Sequence, residues 1–353
     1  MVQDKKTLII LTPGFAKDET DSTCIPLHQN LVLALKKICP GLEIIILSFQ
    51  YPYITEPYKW HDMTIIPFSG KNKGGLKKLL IRRNVKATFK KINRRQQVIG
   101  MVSFWYGECA FVGKKLADRH GIPHFCWLQG QDVKKENKYP GITSLRPDEI
   151  IALSDFSKTE FEKNHRLKLF HIITPGIEPG EFDTTPKEKD IDIIAAGSLI
   201  PLKQFEVVIA IVAQLKKQLP GIKAIMIGDG PEKQKLQDAI VLNKLQSNIV
   251  LTGTLSNTET LAWMQRAKIL LHPSFFEGFG VVMIEALYAG CKVISFCEPM
   301  NREIENWYIA KSNEEMKELA LAILENKSAV NNKVLFSSIT DTAEKMLALF
   351  PHS

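Results

Sequence analysis

The chain has 353 residues, 45% of them hydrophobic and 24% charged, with a formal net charge of +8. That length suits two globular domains, and no apolar run approaches the roughly 20 residues a bilayer crossing takes, so a membrane-spanning or disordered class is excluded. Six cysteines without C-x-x-C spacing and a first apolar run too short for a signal peptide point to a reduced, cytoplasmic protein. No Cys/His zinc spacing and no phosphate-binding G-x-x-x-x-G-K motif is present, and no metal or cofactor is expected.

The first half alternates strand and helix. Residues 7–11 read as a strand, Pro13-Gly14-Phe15 as a turn, 26–39 as a helix and 43–49 as a second strand. Such β–α–β order argues for a parallel sheet covered by helices on both faces. Because the first turn falls at the sheet's C-terminal edge, where ligands bind in such folds, Gly14 is read either as lining a ligand cleft or as a plain turn residue.

Residues 51–69 form a loop with a short strand at 63–67. The next segment, 71–95, contains eleven Lys or Arg and no acid. Within it Ile81, Val85, Phe89 and Ile92 recur at helical spacing as one narrow apolar stripe. Two readings stand: a surface helix docked by that stripe, or a contact for an anionic membrane surface or an acidic, lipid-diphosphate acceptor. If the second holds, the inner face of the cell membrane joins the cytoplasm as a location. Nucleic acid is not expected, because no helix-turn-helix, zinc module or aromatic stacking platform accompanies the charge.

Residues 97–104, 107–120 and 123–128 continue as strand, helix and strand, ending in Gln129-Gly130-Gln131-Asp132. A glutamine can hydrogen-bond a hydroxyl or phosphate but cannot titrate, so Gln129 can position a substrate without acting as a base. Asp132 either touches acceptor or sugar, or forms an Asx turn. A strand at 149–153, a helix capped by Ser154 and a strand at 171–174 complete this half. The stretch 178–189, dense in Pro, Gly, Thr and charge, reads as a linker between domains 1–178 and 186–335.

The second half restarts the pattern. A strand at 191–195 leads to Gly197-Ser198 and on to Lys203. A strand at 223–228 leads to the turn Gly228-Asp229-Gly230-Pro231, and one at 249–251 to Gly253-Thr254-Leu255. Asp190-Ile191-Asp192 has metal-site spacing but stands at a strand's start, away from the ligand edge, and is read as solvated. The strand 268–271 and His272, expected to pack against the strand end, precede Glu277-Gly278-Phe279-Gly280 and a helix at 281–288. A glycine turn that opens a helix offers free N–H groups and a positive dipole end to an anion. Glu277 and Glu285 flank that turn; carboxylates repel phosphate but accept hydrogen bonds from vicinal hydroxyls. Hydroxyl reader, diphosphate cradle and hydroxyl reader together describe a nucleoside-diphosphate sugar.

The string Glu277-Gly278-Phe279-Gly280-x4-Glu285-Ala286 resembles the donor-site signature of the family 4 (group 1) retaining glycosyltransferases. That resemblance implies an α/β chain of two Rossmann-like domains facing across a cleft, the GT-B fold. Residues 1–178 would take the acceptor, with a terminal helix in 340–353 packing back on them, and 186–335 would take the donor. It further implies that Glu277 orients the sugar, Glu285 the ribose, and Lys203 with the Gly278–Gly280 amides the diphosphate. Ser198, Gly228, Asp229, Thr254 and Leu255 fall in the donor pocket, the last two near the nucleobase. Two positions depart from the pattern: Ser198 stands where the family usually carries arginine, and Gln129 where it usually carries histidine. The activity implied is metal-independent, retaining hexosyl transfer from a UDP- or GDP-sugar to a hydroxyl of a glycan, lipid-linked or other cell-envelope acceptor. A nucleotide-sugar epimerase, a non-catalytic sugar-nucleotide binding protein and a membrane-associated scaffold are the rivals.

Overall fold

The computed structural model describes residues 6–326 and 332–350. Contacts divide the chain into two compact units, Met1–Gly176 with Ile339–Ser353, and Ile177–Ser338. The expected ends at residues 1–5 and 351–353, and residues 327–331 of the second expected domain, lie outside the described residues.

In the first unit the elements run β1 (Lys6–Gly14), α1 (Pro26–Ile38), β2 (Glu43–Tyr51), β3 (Tyr58–Trp60), β4 (Met63–Pro67), α2 (Gly75–Asn93), β5 (Gln97–Phe104), α3 (Glu108–His120), β6 (His124–Trp127), α4 (Pro140–Thr143), β7 (Ile150–Ala152), α5 (Asp155–His165) and β8 (His171–Ile172). The sheet order is β3-β4-β2-β1-β5-β6-β7-β8, parallel except where β3 meets β4. Nearly every residue of β1 and β2 is buried, as befits strands covered on both faces. Ile81, Val85 and Phe89 dock α2 onto β5 and α3, so the apolar stripe of the cationic helix is a packing face. The short strand β3 carries no alternation long enough to be read from sequence.

The second unit holds β9 (Ile191–Ala196), α6 (Phe205–Leu215), β10 (Ala224–Ile227), α7 (Lys233–Leu242), β11 (Ile249–Gly253), α8 (Asn257–Arg266), β12 (Ala267–His272), α9 (Val281–Tyr288), β13 (Lys292–Ser295), β14 (Trp307–Ile309) and α10 (Asn313–Glu325). Its strands run β11-β10-β9-β12-β13-β14, all parallel. Ser256 caps α8 reciprocally with Glu259, each side chain accepting the other's backbone N–H. The last helix, α11 (Ile339–Leu347), packs on α1 in the first unit. Beyond it Phe350 lies over Gly100, where a Cβ would stand 2.2 Å from the ring.

The segment 178–189, expected to be a linker, belongs to the second unit by its contacts. Glu181 accepts from Asn257 at 3.1 Å, and Gln265 is bonded to both the N–H and the carbonyl of Asp183. Asp190 and Asp192 stand at the N-terminal end of β9 but are paired, with Arg266 at 2.5 Å and Lys268 at 2.8 Å. At these half-exposed positions Asp190 pairs with the last residue of α8 and Asp192 with the neighbouring strand β12. All six cysteines are free thiols.

Candidate active site

In an open parallel sheet ligands bind beyond the strand C-termini, where the winding direction reverses. In the second unit the chain winds outward through β9, β10 and β11, returns to β12, and leaves the other way through β13 and β14. The reversal lies between β9 and β12. Ser198 and Lys203 follow β9, Gly228 and Asp229 follow β10, Thr254 and Leu255 follow β11, and Glu277 to Gly280 follow β12. Every residue assigned to the donor pocket outside α9 therefore belongs to one edge of four adjacent strands.

Backbone contacts lock these loops together. The N–H of Gly197 donates to Ile227, that of Leu199 to Asp229, and that of Gly228 to Gly253, at 2.9 to 3.0 Å. Gly228 has φ 146°, and a Cβ there would stand 1.9 Å from the Gly197 carbonyl oxygen, so only glycine fits. The loop after β12 is pinned by Ser274, whose hydroxyl donates to the Leu202 carbonyl at 3.1 Å, and by Cys297, whose thiol donates to the Ser274 carbonyl at 2.7 Å.

On that scaffold the Lys203 ammonium donates to Glu277, and His272 Nε2 lies 2.9 Å from the same carboxylate oxygen, Oε1. Burial works to raise the Glu277 carboxyl, but the His272 hydrogen bond and the Lys203 charge outweigh it and hold it at about 2. His272 is 3% exposed. It was expected only to pack against the strand end, and its role as a brace for Glu277 has no signature in the sequence beyond the five-residue separation.

Gly280, with φ 82°, stands at the start of α9, which has no side-chain cap; the Met283 N–H closes back on the Gly280 carbonyl at 2.9 Å. Phe279 turns its ring into the core against Trp307 and Phe336, so only its backbone is available to a ligand. Glu285 is the fifth residue of α9; burial, reinforced by the charge of Glu181, pushes its carboxyl up to about 7. Asp229 is occupied by its own turn, accepting from the Gly230 N–H at 2.7 Å and pairing with Lys233 at 2.6 Å. Ser198 and Thr254 are exposed and Leu255 half-buried. The chemistry concentrated here is one cation, one ionised carboxylate, one enclosed carboxyl group and a helix N-terminus.

The first unit has its own reversal between β1 and β5. Beyond it lies a cavity of about 470 Å³ lined by Phe49, Trp105, Tyr106, Glu108, Asp132 and Tyr139, among others. Trp105, just after β5, has φ 69°, a strained conformation for a bulky residue and one that clusters at ligand sites. Glu108 is held by Arg82, Lys78 and the Tyr139 hydroxyl. Gln129 keeps a buried side-chain nitrogen without a hydrogen-bond partner among the described residues.

Of the two readings of Asp132 the structure shows the turn, and the turn assigned to Gly14 changes. Asp132 is a turn former: its Oδ2 accepts the N–H of Gln129 at 2.7 Å and of Tyr106 at 2.8 Å. Burial pushes its carboxyl up to about 7 against the pull of those donors. Gly14 is not in a turn but is the last residue of β1, packed against Tyr51 and Cys24; its neighbour Pro13 lines the cavity instead.

The family match falls on the second unit, and the structural matches span nearly the whole chain. Residues 178–332 match the family model for glycosyl transferases group 1. An uncharacterised glycosyltransferase of Methanocaldococcus jannaschii is 27% identical over 191 residues, covering 52% of each chain. This chain spans about half or less of the length of the curated relatives it matches. Among solved structures, sucrose-phosphate synthase from Thermosynechococcus elongatus aligns with a TM-score of 0.72 at 14% identity, covering 98% of this chain and 95% of that one. Anabaena HepE, solved with UDP and glucose, aligns with a TM-score of 0.65 at 15% identity, covering 97% and 95%. The chain therefore has the GT-B glycosyltransferase fold, two Rossmann-like units, of which the second carries the segment similar to glycosyl transferases group 1.

Proposed function

We propose that this protein transfers a hexosyl group from a UDP- or GDP-sugar to an acceptor hydroxyl of a glycan or lipid-linked molecule, with retention of anomeric configuration and without a metal. The observation that carries the reading is the Lys203–Glu277–His272 cluster beside the open N-terminus of α9, at the sheet's point of reversal. A nucleoside diphosphate leaves with growing negative charge, and preorganised donors aimed at that charge lower the barrier. Lys203 and the Gly278–Gly280 amides supply them. Glu277, already ionised, accepts hydrogen bonds from sugar hydroxyls, and His272 keeps it oriented once Lys203 turns to phosphate. Glu285 reads the ribose. As the bond from the anomeric carbon to the diphosphate oxygen breaks, the acceptor oxygen bonds to the same face and its proton passes to the departing diphosphate.

The acceptor binds in the cavity of the first unit, whose aromatic lining residues Trp105, Tyr106 and Tyr139 suit a sugar ring. The complexes of HepE with UDP and with UDP-glucose support a UDP-sugar as the first donor to try.

The test is a thermal-shift screen over UDP-, GDP-, ADP- and dTDP-sugars, since a bound donor raises stability by mass action. Nucleoside diphosphate release is then assayed with and without acceptor mixtures. Acceptor-dependent release supports the transferase. Conversion of the donor sugar without any added alcohol identifies an epimerase, and donor binding with no release under any condition identifies a binding protein.

A further inference from the structure

α2 carries two apolar stripes, and packing accounts for one of them. At about 100° per residue, Ile81, Val85, Phe89 and Ile92 project to one side of the helix. They are the residues it turns toward β5 and α3. Leu76, Leu79 and Leu80 project to the opposite side, and they are 80%, 57% and 53% exposed. Further along that outward side come Arg83, Lys90 and Arg94, all exposed. Exposed apolar residues scattered singly need no explanation, but three leucines within five positions on a helix that spends order to hold them in water do.

The surroundings identify what covers this face. Residues 71–95 hold eleven Lys or Arg and no acid. A second copy of the chain would bring this charge against itself. A polyanion such as RNA would satisfy the cations and leave the leucines in water. A bilayer rich in anionic lipid satisfies both, with apolar side chains entering the headgroup–acyl boundary and the cations meeting lipid phosphates. We infer that the outward face of α2 is a docking surface for an anionic membrane, with Leu76, Leu79 and Leu80 as the inserting residues. The inference does not depend on the reaction catalysed.

Flotation of the full chain with vesicles tests it directly. The wild type floats with phosphatidylcholine–phosphatidylglycerol vesicles and not with phosphatidylcholine alone. Leu76→Ser/Leu79→Ser/Leu80→Ser lowers the partition coefficient at least about tenfold with an unchanged thermal melt. Arg83→Glu/Lys90→Glu/Arg94→Glu lowers it by at least about as much, and added salt does the same to the wild type. As an independent reading on a minimally altered chain, Leu79→Trp gains fluorescence that brominated acyl chains quench. Wild-type protein that ignores anionic vesicles, a leucine variant that floats like the wild type, absence of quenching at position 79, or RNA binding in place of flotation would each overturn the proposal.

Discussion

The two units are built on the same plan and finished differently. Each is a parallel sheet whose winding reverses once, between β1 and β5 in one and between β9 and β12 in the other. At the second edge the loops are glycine-rich, locked by backbone hydrogen bonds, and furnished with Lys203, Glu277 and His272. At the first edge the loops are aromatic, and its carboxylates, Glu108 and Asp132, hold the protein's own groups. A diphosphate asks for the same charge and amides in any sugar nucleotide, so its site can be general. On the proposed reading, an aromatic-lined cavity would be shaped to one kind of acceptor. The group 1 match at residues 178–332 agrees with that division.

The sharpest way to break the comparison is to remove charge from the second edge. Glu277→Ala and Lys203→Ala are each expected to lower turnover by about two orders of magnitude or more, as loss of one preorganised charge stabiliser does. Steady-state kinetics with a responding donor check this, and unchanged rates in both variants would remove the donor assignment. Gly228→Ala places a Cβ against backbone that has no side chain to move aside, at 1.9 Å. It should cost about 3 kcal/mol or more and abolish donor-dependent stabilisation in thermal melts.

A subtler test concerns His272. With it Glu277 is held at about 2, so the pair contributes stability that is complete above the ordinary carboxylate pKa and fades as pH falls toward 2. His272→Phe should raise the acid midpoint of unfolding and lower donor turnover about tenfold, while His272→Gln restores part of both. Changes at the first edge should be smaller and different in kind. Trp105→Ala is expected to raise the acceptor KM by about three- to tenfold and leave donor binding unchanged.

The last test reads pH-dependent stability rather than activity. Asp132 is raised to about 7, so the folded state holds its proton where the unfolded chain has released it, and stability falls as pH rises from about 4 to 7. In Asp132→Asn the stability difference between pH 5 and pH 8 should shrink by on the order of 2 kcal/mol, read from urea titrations.

Much of this was legible in the sequence because parallel strands are written as apolar runs closed by glycine turns. Residues 191–196 and 267–272, and the turns at Gly228 and Gly280, are plain on that basis. What escaped depends on contacts distant in sequence. His272 looks like any residue ending a strand until Glu277 folds back on it. Residues 178–189 look like a linker because their partners, Asn257 and Gln265, lie some eighty positions on. β14 is three residues long and pairs only with β13, too little for a pattern to register. The leucines of α2 are visible as letters, but helical spacing alone does not say which of two opposite stripes meets the core.

In the proposed transfer, the pairing of Lys203 with Glu277 bears on how a catalytic cycle would end. An ammonium group that faced open solvent would hold a departing diphosphate until water and salt released it. Here the protein carries its own rival for that ammonium in the Glu277 carboxylate at contact distance. As the nucleotide loosens, Glu277 recaptures Lys203, so the empty site returns to local neutrality without recruiting an ion from solution. In that cycle the contact a donor must open on arrival would also compete with the spent nucleotide for Lys203 and so favour its release.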